Sequence, residues 1–237
     1  MVNVINCMSN KIYIKQPQYL PWIGLFRNII ESDILVILDD VQYAKNGWYN
    51  RNKIRTFSSW MWLTLPVKSR LGEKINEVKI DNSQDWQKKH SKAIYINYQK
   101  SEYFEKYWGK IKNIYDKKYE FLLDINLDFI KLFLDIFEIN KKIIFSSELN
   151  IQDTGSDRLF EICNLLKADI YLSGEMGKKY LKENDFKRKG INIEYQNFQH
   201  PEYTQVYKPF IPNMSFIDLL FNEGDNALKI LQESKNF

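Results

Sequence analysis

The chain has 237 residues, with 34 Lys and Arg against 30 Asp and Glu, two His and a formal charge of +4. That length suffices for one substantial core or one domain with an inserted lobe; the small, dispersed charge excess makes no case for nucleic acid, although it suits an anionic ligand such as a nucleotide diphosphate. Cys7 and Cys163 are far apart without ligand-like spacing, which argues against a disulfide framework or a zinc site, and no stretch approaches the roughly 20 apolar residues of a membrane span or carries the pattern of a signal peptide, so a cytoplasmic protein is expected.

In chain order, Ile12 and Ile14 suit a strand that Pro17 should end. Trp22, Ile23, Leu25, Phe26, Ile29 and Ile30 have helical spacing up to Ser32 and Asp33, with Pro21 tolerated in the first turn. The apolar run Ile34 to Leu38 reads as a strand buried on both faces of a parallel sheet. This is a β-α-β unit, and the polar residues from Asp39 to Lys53 read as a loop. Trp60 to Val67 reads as a strand, Lys68 to Lys74 as a turn, and Lys79-Ile80-Asp81 as the end of another short strand. The period then becomes helical: Trp86 to Asn97, Tyr103 to Ile114 and Phe121 to Phe137 predict a helical lobe over about 82–140. Ile143 to Ser146 resumes the α/β rhythm. Ser156 to Lys167 follows as a helix preceded by a Thr154-x-x-Asp157 capping pattern, then strands at Ile170 to Ser173 and Ile193 to Tyr195. The expected fold is a single α/β domain over 1–237, with a Rossmann-like, mostly parallel sheet and an inserted helical lobe.

In open α/β sheets, ligands bind beyond the carboxyl ends of the strands, so the loop Gln16 to Trp22 and the turn Asp39 to Gln42 should share a rim. Gln16, Gln18, Tyr19 and Trp22 could hold a phosphate, carboxylate or sugar hydroxyl, or merely satisfy backbone groups in a turn. Asp39 and Asp40 could bind a sugar hydroxyl, hold Mg²⁺ or act as a base, against ordinary turn chemistry for Asp. Arg51, between Asn50 and Asn52, offers a planar fork to an anion or to its own loop. Ser173, Gly174, Lys178 and Tyr180 lie on a second strand-to-loop transition that could cradle an anion. It is not a Walker A loop, because two residues instead of four separate Gly174 from Gly177 and Lys178 is followed by Lys179. His200, with Tyr203 and Gln205 in a polar loop after a strand, is the candidate general base at neutral pH. His90, one turn after Trp86, reads as packed, as does Cys163. The stripe Tyr103, Phe104, Tyr107 and Trp108 could stack on a sugar, but its helical spacing favours core.

Several of these segments, taken in order, carry a resemblance: Gln16-Pro17-Gln18-Tyr19-Leu20-Pro21-Trp22-Ile23-Gly24, Asp39-Asp40-Val41-Gln42-Tyr43, Asn50-Arg51-Asn52-Lys53, Tyr171-Leu172-Ser173-Gly174 and the spaced residues Gln196, Phe198, His200, Pro201, Tyr203 and Gln205. Together with Ser215, Asp218 and Asn222 they resemble the WbqC-like proteins. The resemblance implies bacterial O-antigen or other surface-polysaccharide biosynthesis, and specifies no cofactor or catalytic residue. A weaker likeness, to nucleotidylyltransferases of the pantothenate-synthetase kind, implies a shared sheet topology. It does not extend to their opening His-x-Gly-His motif, since Gln18 to Trp22 has no histidine. Three functions follow as expectations. The first is a transferase that acylates or aminoacylates a nucleotide-linked amino sugar, with His200 as base and Asp39 and Asp40 beside it. The others are an ATP- or nucleotide-activating enzyme and a non-catalytic carbohydrate-binding protein; a homo-oligomer is left open.

Overall fold

The computed structural model describes residues 9–234; Cys7 lies outside them. The β-α-β unit is β1 (Lys11–Lys15), α1 (Ile23–Glu31) and β2 (Ile34–Ile37). Two hairpins follow, one of β3 (Arg51–Arg55) and β4 (Trp60–Thr64), one of β5 (Val67–Lys68) and β6 (Lys79–Ile80). The lobe is α2 (Trp86–Tyr98), α3 (Phe104–Asp116) and α4 (Leu122–Ile136). The chain then returns to the sheet through β7 (Lys142–Phe145), α5 (Gly155–Leu165), β8 (Ile170–Gly174), α6 (Glu183–Arg188) and β9 (Asn192–Gln196), and closes with α7 (Phe216–Glu223) and α8 (Asn226–Glu233).

The central sheet has five strands in the order β7-β2-β1-β8-β9, all parallel. Alternation along the strands sends side chains to opposite faces, and each face has its own core. Tyr13, Leu35, Ile37 and Leu172 join a large cluster with α1, the lobe and α7. Ile12, Ile14, Ile34, Val36 and Tyr171 face α5 and α6, where Leu159, Ile162, Cys163 and Phe186 cover them. A sheet sandwiched in this way explains why β2 is an unbroken apolar run, buried at all of its positions. On the first face, Phe26 of α1 stacks on Phe133 of α4 at 3.7 Å and meets Phe216 of α7 edge-on at 5.1 Å. Among the described residues no helix is long and apolar enough to cross a membrane.

The structure departs from the sequence reading at several elements. The segment read as a polar loop ends in a strand: Asn52 and Ile54 of β3 are buried while Arg51 and Lys53 are not, so its period of two is carried by cations instead of apolar residues. Trp60 to Val67 is broken at Pro66, and both pieces pair antiparallel outside the main sheet, as expected of a residue that lacks a ladder donor. Thr154 stands at the N-cap of α5 without a side-chain capping bond. The aromatic stripe of α3, by contrast, is core as its helical spacing predicts, with Phe104 and Tyr107 buried.

Candidate functional site

In chain order the sheet strands run third, second, first, fourth, fifth, so the connections leave β1 and β8 in opposite directions. The crevice beyond their carboxyl ends is the topological switch point, where this kind of sheet takes its ligands. A cavity of about 430 Å³ opens there, lined by Lys15 at the end of β1 and Gln16 after it, Trp22 at the N-cap of α1 and Asn28 within it, and Ser173, Gly174, Tyr180, Gln196 and Phe198. A second cavity of about 350 Å³ adjoins it, lined by Lys15, Gln18, Trp22, Trp48, Lys53 and Asn213. Lys15 and Trp22 belong to both and form the partition.

Two glycines make this arrangement possible. A Cβ on Gly24 would fall 2.3 Å from the Trp22 ring, so glycine lets the indole fold over the start of α1. A Cβ on Gly177 would fall 2.2 Å from Ser173 Oγ, so the turn Glu175–Lys179 can press against the end of β8 only with glycine there.

Lys15 is the last residue of a strand whose three inner positions, Ile12, Tyr13 and Ile14, are buried. Among the described residues its ammonium has no hydrogen-bond or ion-pair partner, and burial pushes its pKa below the usual lysine value. Gln18 Oε1, Asn28 Oδ1 and Gln196 Oε1 are buried acceptors without a protein partner, a situation that costs about 1–3 kcal/mol for each group left unsatisfied. The amide of Gln196 is held from its other end, where Nε2 donates to Glu31 Oε2 at 2.5 Å. Phe198 meets Trp22 edge-on at 5.3 Å and closes an aromatic corner over the first cavity.

Asp39 and Asp40 stand beside this crevice, at the end of β2, and both carboxylates are engaged. Asp39 accepts from the Ser147 hydroxyl at 2.8 Å, the Ser147 amide at 3.0 Å and Asn76 Nδ2 at 3.1 Å, with Ser146 Oγ also 3.1 Å away. Asp40 accepts from Ser146 Oγ, and Arg158 Nη2 reaches both its oxygens at 2.6 Å. Burial alone would raise the Asp40 carboxyl, but the Ser146 hydroxyl and the Arg158 guanidinium together outweigh it and hold the group below the usual carboxylate range. The pair ties β2 to the loop after β7. Among the described residues no group of three or more His, Cys, Asp or Glu is placed to hold a metal ion.

Arg158→Met leaves Asp40 without its cation in a largely buried place, and is expected to cost about 3 kcal/mol. Because the folded pKa of Asp40 is depressed, the loss should be complete above the unfolded carboxyl pKa of about 3.9 and fade as pH falls through the folded value. Urea unfolding of both proteins at several pH values measures it; an equal difference at every pH would refute the linkage.

The remaining sequence candidates fall elsewhere. Asn213 N–H donates to His200 Nε2 at 3.0 Å, so that nitrogen is the bare one and Nδ1 carries the proton it gives to the Pro201 carbonyl at 2.9 Å. Burial lowers the His200 pKa further. The expected base is thus a neutral imidazole with both nitrogens engaged by backbone, behind the cavity walls formed by Phe198 and Asn213. Tyr203 OH and Gln205 Nε2 both donate to Asp218 Oδ2 at 2.7 Å, inside the protein. Tyr19 is fully buried, its hydroxyl between His90 Nδ1 at 2.7 Å and Tyr115 OH at 2.8 Å; burial takes that His90 down to about 4. Asn52 donates to the Leu20 carbonyl at 2.6 Å and Asn50 to the Leu65 carbonyl at 2.8 Å. Arg51 bonds the Asn46 carbonyl and lies 4.6 Å over the Trp62 ring. Lys178 pairs with Glu175 at the surface, and Gln42 is exposed. The crevice therefore gathers Gln16, Trp22, Ser173, Gly174 and Tyr180, with Gln18 in the adjoining cavity. It adds Lys15, Asn28, Gln196 and Phe198, which the sequence reading had not placed there. The signals available were a lysine closing a strand with a buried apolar interior, for Lys15, and the spaced motif that contains Gln196 and Phe198.

A Rossmann-like α/β protein with a polar crevice at its switch point is the class these features define. The model of the WbqC-like protein family matches residues 16–230, and the chain belongs to that family. It is 32% identical over 221 residues to an uncharacterized protein of Mycobacterium tuberculosis, Rv1507c, a match covering 92% of this chain and 95% of the relative. No solved structure matches.

Proposed function

We propose that the protein is a transferase of bacterial O-antigen or other surface-polysaccharide assembly. It acylates or aminoacylates the amine of a nucleotide-linked amino sugar in the switch-point crevice. The observation that carries this reading is the unpartnered, desolvated amine of Lys15 on the partition between two cavities. An amino sugar is an ammonium ion in water and must lose a proton before its nitrogen can attack an acyl carbon. A lysine with a lowered pKa is a suitable acceptor for that proton. The cavity on the β8 side takes the nucleotide-linked sugar: Trp22 and Phe198 offer ring faces to the base, while Gln16, Ser173 and Tyr180 offer donors and acceptors to phosphate and sugar hydroxyls. The cavity on the Lys53 side takes the donor, so the two reacting atoms meet at Lys15. The pathway is the one the family resemblance implies. Asp39 and Asp40 are positioning residues in this scheme, holding the rim beside the crevice, and His200 fixes the wall behind it.

The test pairs nucleotide-linked amino sugars with activated acyl and aminoacyl donors and follows the sugar by mass spectrometry. One pair should gain the mass of the transferred group. No gain with any pair, together with no thermal shift on adding any nucleotide sugar, would overturn the reading.

A further inference from the structure

The hairpin β3-β4 carries an exposed aromatic and cationic face that the core does not use. Lys53 opposes Trp62 across the ladder, with Arg51 and Trp60 each two residues along on the same side, so half-exposed cations on one strand and indoles on the other share a side of the hairpin, whereas Arg55 is buried. Lys53 Nζ lies 4.2 Å over Trp60 and Arg51 lies 4.6 Å over Trp62. Trp48 and Trp62 rings are 5.5 Å apart, and Trp60 meets Trp62 at 5.7 Å. Trp48 is 42% exposed and Trp60 38%. This face runs directly into the smaller cavity, because Trp48 and Lys53 line both. At the inner end of that cavity stand Lys15 and the Gln18 side chain, whose Oε1 is buried without a partner.

The path therefore presents three chemistries in order: indole faces with cations at its outer end, an unsatisfied acceptor within, and an amine base at the end. We propose that it binds the donor as a thioester of coenzyme A. This rests on the acyl-transfer reading for its place in the reaction, whereas the binding itself can be measured alone. Trp60 and Trp62 take the adenine ring by stacking, and Arg51 and Lys53 take the phosphates. The pantetheine arm enters the smaller cavity, where one of its amide N–H groups can donate to Gln18 Oε1. Its thioester then reaches Lys15. In the transfer, the sugar ammonium gives one proton to Lys15 Nζ, which passes it to water, and the freed amine attacks the thioester carbon. As the C–N bond forms, the nitrogen gives its second proton to Lys15; the C–S bond breaks and the thiolate leaves with that proton, so amide, free thiol and one proton released to water are the products. The modest formal charge of +4 and a cationic face confined to one hairpin favour a single nucleotide over a nucleic acid strand.

Calorimetric titration of the full chain with acetyl coenzyme A, coenzyme A and pantetheine tests it, beside a thermal-shift titration with nucleotide sugars. The coenzyme A ligands should bind and pantetheine alone should bind at least about tenfold more weakly. Lys53→Met and Trp60→Ala should each weaken the coenzyme A ligands by about tenfold. Both side chains lie on an exposed face, so the unfolding midpoint and the nucleotide-sugar shift should stay where they are. Overturning results would be nucleotide-sugar binding with no coenzyme A binding, coenzyme A affinity indifferent to both substitutions, or turnover with a carrier-protein thioester alone. Coenzyme A binding without any nucleotide-sugar shift would instead sink the acyl-transfer reading and leave the coenzyme A site standing.

Discussion

Asp218→Ala is expected to destabilise the fold by about 3–5 kcal/mol, among the largest effects of any single change in this chain. The carboxylate is fully buried and accepts from Tyr98 OH at 2.8 Å and from Tyr203 OH and Gln205 Nε2 at 2.7 Å. The equally buried Arg55 faces it electrostatically while bonding the Thr56, Ser59 and Pro209 carbonyls. Alanine would leave three donors without an acceptor and a buried cation without its counter-charge, and the loop from Tyr203 to Ile211 would lose its anchor on α7. Burial nevertheless raises the Asp218 carboxyl, against the opposing pull of Tyr203, Tyr98, Gln205 and Arg55. A raised folded pKa means that the ionisation-linked part of its stability is present at acid pH and lost as pH rises through the folded value. Asp218→Asn should remove that pH slope. Urea unfolding from pH 4 to 8 gives both quantities, and a loss below about 1 kcal/mol for the alanine variant would refute the anchoring role.

Lys15→Met is expected to lower turnover by about 10²- to 10⁴-fold, the usual range for removing a general base. The protein itself should become more stable, because the change replaces a desolvated, unpartnered cation at the end of β1 with an apolar chain of similar length. Lys15→Arg separates the two roles an amine could have. Arginine keeps the charge and cannot give up its proton, so binding of an anionic substrate should persist while turnover stays low. In the unmodified protein kcat/KM should rise with pH through a limb below the usual lysine value of 10.5, the direction in which burial moves this group, since the neutral amine is the active form. That limb should vanish in both variants. Turnover recovered by Lys15→Arg would show that the residue works by its charge and would exclude it as the base.

The β-α-β unit was legible because each part depends on nearby residues: β-branched apolar positions, a proline that ends the strand, and a helical stripe. β3 was not, since Arg51, Lys53 and Arg55 alternate with Asn52 and Ile54 and both Asn52 and Arg55 are buried, so no apolar alternation marks it. The crevice was only half legible. That Gln16 lies at the end of a strand follows from local sequence, but that β8 lies beside β1 is a long-range pairing. Only the pairing brings Ser173 and Gly174 to Lys15. Polar residues in loops were the least informative. Tyr203 and Gln205 have the composition of a ligand loop and serve a buried acid contributed by α7. His200 has the composition of a base, and two backbone groups occupy its ring.

The helical lobe shares one apolar cluster with the sheet, and Phe26, Phe133 and Phe216 interlock α1, α4 and α7 across it. Swinging the lobe away would expose that interior, with about 1.5–3 kcal/mol at stake for each large side chain uncovered. The lobe is therefore a buttress and not a lid. Motion that opens the two cavities belongs to surface segments around their mouths, such as that carrying Trp48, and relaxation-dispersion measurements should find exchange there, with α2 to α4 quiet.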